Sequence, residues 1–236
     1  MPTPSRAATP RRRSAAGLSL LEVLVGLAIG LFVAAGAATL LGQFLGENRR
    51  LLLQMRVEQQ VHAVAGVVLR DLRRAGHWTA SHQGIARDGA PGHPNPNAAI
   101  EGADPDRPSD TVRFSFSGAG GEAGAGADDE TGFRLFRGQV DAGFGGRWQP
   151  LTDPAVVTVT AFELTLRQRA LDLERHCARP RPLGACAGAG VCPPRLLRRS
   201  VALRLEAQSA QDASIRHAFE SAVDLRNDVV EGRCPE

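Results

Sequence analysis

From Leu18 to Leu45 the chain is apolar almost without a break, LSLLEVLVGLAIGLFVAAGAATLLGQFL, and Glu22 is the only charged residue in the run. As a helix rising ~1.5 Å per residue this stretch is about 40 Å long, more than the ~30 Å of bilayer hydrocarbon, so it predicts a membrane span. No Pro lies between Leu18 and Trp78, and beyond Leu45 the apolar pattern changes period without stopping. Leu53, Val57, Val61, Val64, Val68 and Leu72 step by three or four, which is one face of an amphipathic helix packing on a head. Arg49, Arg50, Arg56, Glu58, Arg70, Asp71, Arg73 and Arg74 then fall on its solvated sides, and Gly76 is placed to end it.

Past the helix the period falls to two. Residues 79–110 read as a connecting loop, crowded with Gly84, Gly89, Pro91, Gly92, Pro94, Pro96, Pro105 and Pro108, and 117–131 as a Gly-rich surface excursion. Between and after them, TVRFSF at 111–116, GFRLFRG at 132–138, VVTVTAFELTLRQR from Val156, SVALRLEA from Ser200 and HAFESAVDLR from His217 alternate like strands. One long helix followed by strands predicts an α+β fold, a mainly antiparallel sheet laid across the apolar face of the helix. The expected organisation is a leader at 1–17, a transmembrane helix at 18–45, its amphipathic continuation at 46–76 and a head at 77–236.

Charge refines this picture. The formal net charge of +3 would suggest nucleic acid or an anionic surface, but Arg6, Arg11, Arg12 and Arg13 precede Leu18. Without them 24 basic side chains face 25 acidic ones. The aromatic residues are scattered rather than interleaved with a basic patch, so nucleic acid is not read as a partner. Arginines before the span and a polar chain after it place the leader in the cytoplasm and the head outside. Glu22 is costly in lipid, by roughly 2.5 to 3.5 kcal/mol at a helix centre and less toward the interface, so it calls for a named partner. A signal peptide cut near Ala35-Gly36-Ala37 and a plain signal anchor are competing readings of the same run.

Cys177, Cys186, Cys192 and Cys234 form no C-x-x-C pair and no zinc spacing, so an even count beside an export signal reads as two disulfides, with three connectivities open. The six histidines, at 62, 77, 82, 93, 176 and 217, are scattered; His62 reads as a surface or helix-packing residue. Asp128-Asp129-Glu130 offers oxygen ligands suited to calcium, but in a Gly-rich loop it reads as a solvated run. No nucleophile elbow, metalloprotease helix, phosphate loop or dinucleotide fingerprint occurs. The expectation is therefore no catalytic residue, no cofactor and no metal.

Gly17-Leu18-Ser19-Leu20-Leu21-Glu22 resembles the cleavage and methylation signature of type IV prepilins and type II secretion pseudopilins, with Gly last in the leader and Glu fifth in the mature chain. The segments LAIGLFVAAG, RDLRRAGHW, SDTVRFSF and HAFESAVDLRN are similar to PilW-type minor pilins, and the J-type pseudopilins share the layout. The resemblance implies a pilin-like fold, removal of the leader by an inner-membrane prepilin peptidase, and N-methylation of Leu18, although that position in the family is usually Phe or Met. It also implies that Glu22 faces the terminal amine of a neighbouring subunit. The partners implied are the peptidase, other minor pilins and the major pilin. A pseudopilus subunit and a membrane-anchored adhesin or binding protein remain the alternatives.

Overall fold

The computed structural model describes residues 17, 19–84, 93–118, 130–177, 194–226 and 228–232. It divides into two compact units, Met1–Arg49 and Arg50–Glu236. One helix, α1 (Leu20–Leu72), runs through the boundary for 53 residues. Within the first unit every described residue is exposed.

In the second unit α1 buries Leu53, Val57, Val61, Val64, Ala65, Val68, Leu69 and Leu72, the predicted stripe plus its i+1 neighbours. Asp71 departs from the expectation. It is buried rather than solvated, because it stands three residues after Val68 and seven after Val64 and so falls on the same stripe. Exposed Arg70 approaches it at 3.5 Å. The helix closes with i to i−3 bonds from Arg74 to Asp71 and from Ala75 to Leu72, and Gly76 follows at φ +76°. That left-handed turn suits glycine, and a Cβ there would also stand 3.1 Å from the Arg226 carbonyl oxygen.

Ten strands are present among the described residues, and all named pairs are antiparallel. The stretch expected to be loop carries β1 (Ile100–Glu101) and β2 (Pro108–Ser109). The first sheet has the order β1, β3 (Thr111–Ser115), β4 (Glu130–Phe136), β5 (Gln139–Phe144), β6 (Arg147–Pro150). Two-residue turns join its last three strands: Arg137-Gly138 and Gly145-Gly146 all have positive φ, the type I′ geometry that matches strand twist.

The second sheet is built on β7 (Val157–Asp172) and β8 (Arg195–Ser209), paired along their whole length. Since β7 occupies one edge of β8, β9 (Arg216–Asp224) and β10 (Val229–Glu231) share the other, and β2 pairs the far side of β7. The register shifts between Val159 and Ala161, so the inward row of β7 passes from Val157 and Val159 to Phe162, Leu164 and Leu166. At that irregularity Val159 donates to the Gly138 carbonyl at 2.8 Å, tying the first turn of one sheet to the other. Both sheets and the α1 stripe feed one core, centred on Phe133, Phe162, Leu164, Leu203 and Leu205. Each such buried side chain contributes about 1.5–3 kcal/mol of transfer free energy.

Candidate functional site

The predicted processing and assembly residues lie where α1 begins. Gly17 is exposed and non-helical, and Leu18 lies outside the described residues. Ser19 caps the helix: its Oγ accepts from the Leu21 N–H and its carbonyl from the Val23 N–H, both at 3.2 Å. Glu22 is the third helical residue and exposed. A carboxylate in the first turn meets the positive end of the helix dipole, worth about 0.3–1 kcal/mol. Ser19 and Glu22 also stand at capping-box spacing, a local signal that the sequence carries beside its processing signature.

Beyond this cap nothing among the described residues covers the apolar run. Leu20 is 82% and Phe32 81% exposed, and no part of the most apolar 18-residue window is buried. Added Cβ atoms at Gly26, Gly30, Gly36, Gly42 and Gly46 would meet nothing within 4 Å, so no contact among the described residues requires these glycines. Thr39 satisfies its hydroxyl on the Ala35 carbonyl at 2.8 Å, one turn back along the helix. The chemistry available is that of an exposed apolar helix with one acidic group at its start.

The family described as prepilin peptidase-dependent protein B matches residues 50–225, three quarters of the chain. The chain belongs to the prepilin peptidase-dependent protein B family. The prokaryotic N-terminal methylation motif matches residues 12–38, which contain Gly17, Leu18 and Glu22. No curated protein and no solved structure matches the chain. The two matches identify a type IV prepilin-like minor pilin and point to processing by prepilin peptidase. They fit a membrane-anchored protein, and pilin-like families of this kind are structural rather than catalytic.

In this prepilin-like chain the remaining candidates are scattered. Cys177 is buried at the end of a 3-10 turn (Glu174–His176) and is disulfide-bonded; Cys186, Cys192 and Cys234 lie outside the described residues. Asp128 and Asp129 also lie outside them, and Glu130 opens β4, 3.6 Å from Arg113. His62 is exposed, with its ring against His217 and Phe219.

A polar knot at the other end of α1 escaped the sequence reading. Asn95 donates to the Gly76 carbonyl at 2.9 Å and Asn97 to the His77 carbonyl at 2.8 Å, while Gly76 donates to Ser115 and Ser117 to His77. Arg199 occupies an inward position of β8, where an apolar residue would be expected, and donates to the Ala98 carbonyl. Burial lowers its pKa from the ordinary guanidinium value, and attraction to Asp228 opposes that shift. The available clue was Asn95-Pro96-Asn97, a turn-forming run whose side chains bond to backbone.

Proposed function

We propose that this protein is a minor pilin of a type IV pilus, cut between Gly17 and Leu18, methylated at Leu18 and then built into an assembling filament. On this reading residues 1–17 are a cytoplasmic leader, 18–45 span the inner membrane, 46–76 continue the helix and 77–236 form a periplasmic head without catalytic activity. The observation that carries it is the wholly exposed apolar surface of α1 from Leu20 to Leu45, in which Glu22 is the only charged residue. Such a surface requires lipid before assembly and other helices after it. Small residues that serve no contact among the described residues are suited to close approach of other helices.

Glu22 supplies register. A carboxylate docked against the terminal ammonium of a neighbouring subunit satisfies two charges that lipid leaves unsatisfied, and removing one partner of a buried pair costs about 3–5 kcal/mol. Misplaced subunits are thereby disfavoured more than correct ones are stabilised. Cys177, Cys186, Cys192 and Cys234 form two structural disulfides on this reading, consistent with an oxidising compartment.

Mass spectrometry of the exported protein tests the proposal. The expected product starts at Leu18 and carries one added methyl group; a start at Ala38 or an intact leader overturns it. Co-purification with the major pilin of a retractable pilus is expected, whereas recovery only with secretion-system subunits assigns the same chemistry to a pseudopilus.

A further inference from the structure

Glu58 and His62 lie one turn apart on α1, so their side chains share a helix face. On β9, His217, Phe219, Ser221 and Val223 are consistently less exposed than their neighbours, which marks the inward row of that edge strand. The rows meet at two imidazoles: the rings of His62 and His217 are 5.5 Å apart between centroids and inclined by 50°. Phe219 supports this arrangement, meeting the His62 ring edge-on at 5.2 Å. One donor atom from each of Glu58, His62 and His217 lies within 4.8 Å of the other two.

The geometry points to a divalent transition-metal site formed by Glu58, His62 and His217, with Zn2+ as the fitting ion. Two imidazole nitrogens and one carboxylate oxygen suit zinc, copper or nickel rather than the hard ions calcium and magnesium. Zinc bonds to such donors are ~2.0–2.2 Å long, so a tetrahedral site needs donor atoms about 3.3 Å apart. Rotations of Glu58 and His62, both exposed, supply that contraction without moving backbone. The three donors leave a fourth position for water. Ligands i and i+4 on a helix are geometrically matched to one ion, and the third donor comes from a strand far along the chain. The ion therefore clamps α1 to β9, and because the unfolded chain holds no preformed site, binding stabilises the folded head. This inference does not depend on the pilus reading.

The test uses the full chain in detergent, unreduced and stripped with a chelator, titrated with Zn2+ against a chromophoric competitor and with Co2+ by visible absorption. One equivalent of Zn2+ is expected to bind and raise Tm, and Co2+ to develop tetrahedral bands. His62→Ala, His217→Ala and Glu58→Gln are each expected to weaken binding by about tenfold or more, the low end of what losing even an outer-shell group costs a metal site. Changing His77, His82 and His93 together to Ala should leave the titration unaltered. Stoichiometric binding that persists in the His62→Ala/His217→Ala double variant, or no Zn2+-dependent rise in Tm in the parent chain, overturns the site. His217→Gln, which keeps the side chain's bulk, gives the same readings should a variant with Ala lose its far-UV signal.

Discussion

The side-chain amide of Asn97 donates to the main-chain carbonyl of His77 at 2.8 Å, across 20 residues of chain. Asn97 is 3% exposed, so this bond has no water to replace it. Asn97→Ala should cost about 0.5–1.5 kcal/mol by removing one of the two hydrogen bonds on that carbonyl, which keeps the Ser117 N–H. Asn97→Asp should cost more, because it turns the donating amide into a carboxylate oxygen facing a carbonyl. Denaturant unfolding of the two variants checks the order; equal stability to the parent would remove the knot's role in holding the helix end.

Gly132 and Gly143 are paired across β4 and β5, and the indole of Trp148 covers both. A Cβ on Gly143 would stand 3.1 Å from that ring, whereas one on Gly132 would stand 2.7 Å from the Val112 carbonyl oxygen. Each change to Ala should destabilise by about 1–3 kcal/mol through overpacking. In a Trp148→Ala background the Gly143→Ala penalty should largely vanish and the Gly132→Ala penalty should persist. A double-mutant cycle read by thermal unfolding separates them.

Glu22→Val should leave leader removal intact and strongly reduce incorporation into filaments. Ser19→Ala removes only the cap, worth ~1 kcal/mol of helix stability, and should assemble nearly normally. Sheared-filament immunoblots beside mass spectra distinguish the two roles. Normal piliation with Glu22→Val would leave the carboxylate a helix-end group and nothing more.

Reduction should lower the unfolding midpoint, since losing a native disulfide typically costs about 2–5 kcal/mol in a small secreted domain. Electrophoretic mobility should differ with and without reductant. Unchanged mobility together with four alkylatable thiols would refute pairing of Cys177, Cys186, Cys192 and Cys234.

The long-range periodic features were legible from sequence. The stripe from Leu53 to Leu72 is spaced strictly enough that its burial follows, and β7, with alternating β-branched residues, has no competing helical reading. What escaped was set by local turns or by tertiary demand. Strand β5, QVDAGF, alternates poorly, but Arg137-Gly138 before it and Gly145-Gly146 after it are two-residue hairpin signals that frame it. β8 begins at Arg195 rather than Ser200, because its basic start is paired with β7 beyond the core. Asp71 and Arg199 were misplaced or overlooked because periodicity assigns charge to the outside. Their burial reflects position on an otherwise apolar row, which composition alone does not show. Glu58, His62 and His217 could not be joined from sequence, since only the fold brings β9 beside that helix face.

The order of the strands also dictates when the head becomes complete. The first sheet joins neighbours in sequence and can close as it is delivered, but the helix stripe shares its core with β8 and β9, near the far end of the chain. A chain stopped before Phe219 would leave that stripe partly uncovered. Burial of the helix stripe therefore waits on strands near the far end of the chain, and a shortened chain leaves apolar surface open to non-specific association.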